Sequence, residues 1–175
     1  MNHDIKRKES GCFCFYKHHT SKNMKSIYLI GAMQPCGKKS KEIKAWRNKV
    51  KKYFSRYDLD FECISPANMS ESGENQYRSD RETMRFDLRK VRESDVMLVN
   101  LRDIRQSIGA CDEIFYAYML GKPIIGFIQE EFVGDGLIGY VHEWKYEQID
   151  RIETGKDALE KACDYIKNNY FERGV

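Results

Sequence analysis

Carboxylates are the side chains in this chain that are best placed to do chemistry. The sequence has no Walker loop, no G-x-G-x-x-G, no H-E-x-x-H and no nucleophile-elbow motif. Only one of its four histidines, His142, lies beyond residue 23, so a triad that depends on histidine is not expected. The chemistry that remains is that of carboxylates, tyrosines and backbone amides.

Two carboxylates are predicted at the same edge of the fold. Glu113 falls in the first turn or so of a helix that follows a buried strand, where free amides and the helix dipole stabilise an anion. We therefore expect Glu113 to be ionised at neutral pH and able to attack an electrophile. Asp87 lies on or beside the inward stripe of the preceding helix. By itself, an aspartate there is more often solvated than catalytic.

Strands and helices alternate along the chain from Ser26 onward. Short apolar runs predict the strands, and the i, i+3, i+4, i+7 spacing of apolar residues predicts the helices. The predicted strands are Ser26–Ala32, Phe61–Ser65, Asp95–Leu101, Ile124–Ile128 and Tyr140–Tyr146; the predicted helices are Lys39–Tyr57, Arg81–Glu93, Gly109–Leu120 and Asp157–Tyr170. This alternation predicts a single α/β domain of Rossmann or flavodoxin-like type, with about five mainly parallel strands and helices on both faces.

In a parallel sheet, ligands bind beyond the carboxyl ends of the strands, where the strand order switches. The loops to inspect are therefore 32–40, 66–80, 100–109 and 128–139. The segment Arg102–Ile108 is predicted as irregular loop between a strand and the helix that carries Glu113.

The basic surplus of the chain is confined to its first 23 residues. These carry five basic and two acidic residues, and the other 152 residues are balanced. A neutral folded part gives no electrostatic footprint for nucleic acid. We expect residues 1–23 to form a flexible basic extension, with the domain spanning 24–175 and Met24 as a possible natural start.

Several classes of site and location are disfavoured by the composition. Six scattered cysteines are typical of reduced thiols, and the Cys12, Cys14, His18 and His19 cluster lacks zinc-finger spacing. No apolar run is long enough for a membrane span, and no secretory signal is evident. We expect a cytoplasmic protein without a metal or cofactor.

Three segments together resemble the nucleoside 2-deoxyribosyltransferase-like family, which includes 2′-deoxynucleoside 5′-phosphate N-hydrolases. SIYLIGA at 26–32 resembles the family's first strand, and DLRKVRESDVMLV at 87–99 resembles the helix that brings an acid to the site. The strand ending in Asn100-Leu101, followed by QSIGACDEIFYAYMLGKPIIGF, resembles the family's signature. The resemblance covers about residues 25–128.

The resemblance implies a role for each matching residue. Glu113 falls on the nucleophile, Asp87 on the acid that protonates or hydrogen-bonds the nucleobase, and Tyr28 on the tyrosine that orients the nucleophile. Ser107 falls where the deoxyribosyltransferases have Asp and the nucleotide hydrolases have Ser. A serine there, with basic residues nearby, would tolerate a 5′-phosphate. The expected substrate-binding residues are Gly31, Lys38, Asn100, Arg102, Ser107 and Gly109.

The resulting expectation is cleavage or transfer at the N-glycosidic bond of a nucleoside or its 5′-monophosphate, through a glycosyl-Glu113 intermediate. The resemblance also implies a homo-oligomer, since active sites in the family are shared between protomers. Two alternatives stay open. One is a non-catalytic nucleotide-binding module, in which Asp112 and Phe115 beside Glu113 mark a repurposed pocket. The other is a TIR-like NAD glycohydrolase.

Overall fold

The computed structural model describes residues 25–33, 40–57, 61–66, 79–130 and 136–171. The strands are β1 (Lys25–Ile30), β2 (Phe61–Ile64), β3 (Val96–Asn100), β4 (Ile124–Ile128) and β5 (Arg151–Thr154). The helices are α1 (Ser40–Phe54), α2 (Asp80–Glu93), α3 (Ile108–Met119), α4 (Gly136–Tyr140), α5 (Glu143–Tyr146) and α6 (Ala158–Ile166). A 3₁₀ turn at Ile104–Gln106 precedes α3, and a π-helical turn at Lys167–Phe171 follows α6.

The five strands form one parallel sheet in the order β2-β1-β3-β4-β5. β1 pairs with β3 from Ile27 opposite Val96 to Ile30 opposite Val99. This is the flavodoxin-like order, whose switch point lies between β1 and β3. The predicted α/β class and parallel sheet are confirmed, and the carboxyl ends of β1 and β3 mark the ligand edge.

Apolar cores cover the sheet on both faces, because almost every side chain of β1, β3 and β4 is buried. On one face α1 and α6 pack against β1, β3 and β4, with Trp46 and Phe54 among the larger side chains. On the other face α2, α3 and the short α4–α5 segment cover Tyr28, Met97 and their neighbours. No helix in these described ranges is long and apolar enough to cross a membrane.

The predicted last strand is wrong. Residues 140–146, rich in aromatic side chains as strands often are, fall in α4 and α5, and His142 accepts a hydrogen bond from the Trp144 amide as the cap of α5. The fifth strand is β5, which pairs with β4 alone. As an edge strand of four residues it tolerates charged side chains such as Arg151 and Glu153, so its sequence lacks an apolar signature.

Candidate active site

The floor of the candidate site is the junction of β1 and β3 at their carboxyl ends. Gly31 follows β1 and lies against Asn100, the last residue of β3. A Cβ at Gly31 would stand 3.1 Å from Cζ2 of Trp46 and 3.3 Å from Cβ of Asn100. Only glycine therefore fits without displacing a neighbour, and the two predicted binding residues Gly31 and Asn100 do meet.

Tyr28 and Glu113 contact each other directly across this edge. The Tyr28 side chain leaves β1 on the α2–α3 face and is 1% exposed. Its hydroxyl donates a hydrogen bond to Oε1 of Glu113 over 2.8 Å. Burial and the neighbouring Glu113 carboxylate raise the pKa of Tyr28 far above its ordinary value, so the phenol stays protonated and remains a donor. The two residues lie 85 positions apart in the sequence.

The environment of Glu113 differs from the one expected from the sequence. Glu113 is the sixth residue of α3, one turn beyond the free amides where the helix dipole acts most strongly. Burial raises its pKa to about 8, although the Tyr28 hydrogen bond and the charge of Arg47 lower it. Desolvation thus opposes the ionisation that the helix position of Glu113 suggested, and the contacts with Tyr28 and Arg47 offset only part of its effect.

Asp87 lies on α2, which packs against α3. It is half-buried, and burial raises its pKa to about 6. The negative charge of Asp87 in turn raises the pKa of Glu113. α2 begins at its cap Ser79, whose hydroxyl accepts a hydrogen bond from the Glu82 amide. The two carboxyls predicted from the sequence thus interact electrostatically, and both retain protons to a higher pH than free carboxyls.

Arg47 is a charged residue near the site that the sequence analysis missed. Its side chain is 1% exposed, and its guanidinium donates hydrogen bonds to the carbonyls of Ile43 and Gly31. Its charge lowers the pKa of both Tyr28 and Glu113. The sequence feature that could have identified Arg47 is its position in α1. It lies one turn beyond Ile43 on the apolar, inward-facing stripe of the helix, where a charged residue is unusual.

The other predicted binding residues that the structure describes lie between the end of β3 and the first turn of α3. Ser107 precedes α3, and its side chain makes no capping hydrogen bond. Gly109 is exposed in the first turn of α3 with open space around it. Arg102 forms an ion pair of 3.9 Å with Glu130, while its amide binds Oδ1 of Asn100. Lys38 lies outside the described residues, as do the cysteine–histidine cluster and Met24.

Phe115 and Asp112 do not fill the space beside Glu113. Both line a cleft of about 440 Å³ together with Trp144 and Lys145, and Glu113 is not among the residues that line it. Phe115 is 49% exposed there, and the Lys145 ammonium lies 5.6 Å from its ring centre. The Phe115 side chain therefore leaves the Tyr28–Glu113 contact unobstructed.

The described cysteines are free thiols. Cys63, Cys111 and Cys163 form no disulfide, and burial raises the pKa of each. In the ranges that the structure describes, no group of three or more His, Cys, Asp or Glu side chains is placed to hold a metal ion. The chemistry that these residues can support is that of two protonatable carboxyls, a phenol donor and a buried cation.

Solved structures share this fold. A 2-desoxiribosyltransferase from Leishmania mexicana superposes with a TM-score of 0.59 at 18% identity, covering 83% of this chain and 99% of that chain. A conserved protein from Enterococcus faecalis V583 gives a TM-score of 0.59 at 14% identity, covering 81% of this chain and 98% of that one. At such identities the likeness establishes the fold alone.

Comparison with curated proteins finds no match. The profile of the nucleoside 2-deoxyribosyltransferase family, in contrast, matches residues 27–150. That range includes β1 with Tyr28, α2 with Asp87 and α3 with Glu113. The match spans well over half of the chain and agrees with the resemblance seen in the sequence, so the protein belongs to the nucleoside 2-deoxyribosyltransferase family.

Proposed function

We propose that this protein cleaves or transfers the N-glycosidic bond of a deoxynucleoside or its 5′-monophosphate through a covalent glycosyl-Glu113 intermediate. The observation that most supports this proposal is the 2.8 Å hydrogen bond from Tyr28 to Oε1 of Glu113 at the carboxyl edge of β1 and β3. This bond orients one carboxylate oxygen. Oε2 has no hydrogen-bond partner among the described side chains, and we assign it the attack on the sugar.

In the first step Oε2 of ionised Glu113 attacks C1′ of the sugar. A C1′–O bond forms as the C1′–N bond breaks, and the electron pair of the broken bond goes to the base nitrogen. The positive charge that develops at C1′ is stabilised by the adjacent carboxylate, as in retaining glycosidases. In the second step the incoming nucleophile, water or another base, attacks C1′ and releases Glu113 as a carboxylate.

Asp87 supplies the proton that makes the base a better leaving group. Because burial raises the pKa of Asp87 to about 6, a larger fraction of it is protonated at neutral pH than of a solvated aspartate. The proton passes from Asp87 to a ring nitrogen of the departing base as the C1′–N bond breaks. In the second step the incoming water or acceptor base gives up a proton to Asp87 as it attacks C1′, so both carboxyls return to the states in which they reacted.

The phosphate of a 5′-monophosphate would bind near the start of α3. Ser107 leaves the first-turn amides of this helix without a side-chain cap, and such amides bind anions. The Ser107 hydroxyl can donate to a phosphate, whereas an aspartate there would repel it. Arg102 is expected to contribute less to phosphate binding than the sequence suggested, because it forms an ion pair with Glu130.

A homo-oligomer belongs to the same proposal. α3 carries exposed apolar side chains that a monomer would leave in water: Ile108, Phe115, Tyr118 and Met119. Contiguous apolar surface of this kind is typical of protein interfaces. A second copy covering α3 would also restrict water near the site, as a transferase requires.

The proposal is tested by incubating the protein with deoxynucleosides, their 5′-monophosphates and NAD, with and without adenine as acceptor. We expect base exchange or base release from a deoxynucleoside or its monophosphate. Exchange that depends on the acceptor identifies a transferase, and release without it identifies a hydrolase. Glu113→Gln should lower kcat/KM by at least about 10³-fold, because an amide cannot form the glycosyl ester.

The matched control is Asp112→Asn, which changes the neighbouring carboxylate on the exposed side of α3 and should retain activity. Mass spectrometry of quenched protein should find the deoxyribosyl group on the peptide that contains Glu113. Full activity in Glu113→Gln would contradict the proposal. Nucleotide binding without turnover would favour a binding module, and cleavage of NAD alone would favour a NAD glycohydrolase.

A further inference from the structure

Arg47 is buried without a carboxylate partner in the part of the chain that the structure describes. Two of its guanidinium nitrogens donate to carbonyls, Nη1 to Ile43 over 2.8 Å and Nη2 to Gly31 over 3.1 Å. Its Nε is buried and has no hydrogen-bond acceptor among the described residues. A buried cation destabilises the folded protein unless nearby anions stabilise it. Its retention at this position requires a compensating interaction.

The anion that can compensate this charge is Glu113 in its ionised form, which is the form that the proposed reaction uses. Glu113 favours the charged form of Arg47 more than any other residue, and Tyr28 and Cys63 contribute less. Burial nevertheless lowers the pKa of Arg47 to about 10, which leaves the guanidinium charged at neutral pH. The interaction is mutual, because Arg47 lowers the pKa of Glu113.

The other charged and titratable groups around Glu113 come from β1, α2 and α3 itself. Tyr28 on β1 lowers the pKa of Glu113 through its hydrogen bond. Asp87 on α2 and Asp112 on α3 raise it by charge repulsion. Arg47, from α1 on the opposite face of the sheet, is thus the cation that offsets two neighbouring acids and the effect of burial.

We propose that Arg47 is a positioning residue of this site, which holds the Gly31 carbonyl in place and stabilises the Glu113 carboxylate through its buried positive charge. This inference rests on the proposed role of Glu113 as nucleophile. The geometry that carries it is a full-length arginine side chain, 1% exposed, directed from α1 to the end of β1. The indole of Trp46 lies 4.5 Å below the guanidinium and limits its movement.

The experiment titrates Glu113 directly, so that it does not depend on turnover. Protein labelled with carbon-13 at the glutamate carboxyl is followed by NMR across pH, with Glu113→Gln identifying the resonance. We expect Arg47→Gln to raise the titration midpoint of the Glu113 carboxyl by about one pH unit. This shift lowers the ionised fraction of Glu113 at neutral pH about tenfold. Arg47→Lys, which keeps the charge, should restore most of the wild-type midpoint.

The matched control is Lys49→Gln, which removes a positive charge from the exposed side of the same helix and should leave the Glu113 midpoint unchanged. An unchanged midpoint in Arg47→Gln would overturn the inference, as would equal shifts in Arg47→Gln and Lys49→Gln. If Arg47→Gln is too unstable to titrate at high pH, its urea stability is compared with wild type between about pH 5 and 9. A loss that grows as Glu113 ionises supports the inference, and a loss that is equal at every pH overturns it.

Failure of the proposed function is distinguished by the same set of proteins. If Arg47→Gln moves the Glu113 midpoint but Glu113→Gln retains base exchange, the electrostatic pairing stands and the nucleophile assignment falls. If the midpoint does not move while Glu113→Gln is inactive, the nucleophile assignment stands and Arg47 has only a packing role.

Discussion

The two candidate catalytic carboxyls, Asp87 and Glu113, have pKa values of about 6 and about 8. Between these values the pair holds one proton, which resides mainly on Glu113. The reacting form has that proton on Asp87 instead, so only part of the protein is in the reacting form at any pH. The two titrations are coupled, so kinetics will report values that belong to the pair. Turnover is therefore expected to peak between the two values.

Asp87→Asn tests this account at the residue scale. An amide cannot deliver a proton, so we expect kcat/KM for ordinary deoxynucleosides to fall by about 10²–10⁴. The alkaline limb of the pH profile should also disappear, because only the ionisation of Glu113 then controls activity. The measurement is kcat/KM from about pH 5 to pH 9 for both proteins.

A substrate with a cationic base provides the control for this variant. A 7-methylguanine deoxynucleoside has a leaving group that needs no proton, so Asp87→Asn should lose far less activity on it. Equal losses on the methylated and ordinary substrates would mean that Asp87 does not act as the acid.

At the scale of elements, the site depends on the close approach of α1 and β3 to the end of β1. Trp46 and Asn100 both press against Gly31, and Trp46 is itself held by the ring of Phe127 at 5.4 Å between centroids. The Arg47 hydrogen bond to the Gly31 carbonyl fixes the same residue from α1. A side chain at position 31 would therefore separate elements that the site needs together.

Gly31→Ala and Gly109→Ala form a matched pair that tests this packing. We expect Gly31→Ala to lower the free energy of unfolding by about 1–3 kcal/mol, because neither Trp46 nor Asn100 can yield without disturbing the core. Gly109→Ala adds a Cβ in open space within α3 and should be neutral or stabilising by up to about 1 kcal/mol. Urea unfolding measures both. A neutral Gly31→Ala would show that the junction is loosely packed.

At the scale of the whole molecule, the buried carboxyl makes folding depend on pH. The folded-state pKa of Glu113 is about 8, well above the ordinary value of 4.5. Between these values the folded protein binds a proton that the unfolded chain does not, so stability falls as pH rises through this window. Asp87 adds a smaller effect of the same sign between 3.8 and about 6.

Glu113→Gln should remove the larger effect. The variant should match the wild type near pH 5 and become more stable by an amount that grows to a few kcal/mol near pH 9. Unfolding midpoints in urea at several pH values measure this difference, with Glu160→Gln, which changes an exposed carboxylate on α6, as the control. A difference that is the same at every pH would mean that the Glu113 carboxyl is not desolvated.

The sequence by itself determined the order of the elements and the pair of acids, with the exception of the last strand. Apolar runs such as those of β1, β3 and β4 specify buried strands because both faces of a parallel sheet must be covered. The segments that carry Tyr28, Asp87 and Glu113 were recognised through their resemblance to the nucleoside 2-deoxyribosyltransferase family. β5 was missed because a short edge strand needs no apolar pattern.

Only the tertiary structure decided the electrostatics of the site. The contact of Tyr28 with Glu113 joins residues 85 positions apart, and Arg47 reaches the same edge from the opposite face of the sheet. Local position in a helix suggested an ionised Glu113, but desolvation depends on everything packed around the side chain and raises its pKa to about 8. The periodicity of apolar residues in the sequence indicates which face of each helix or strand is buried. Which charged side chains are buried together depends on how those faces pack in the folded protein.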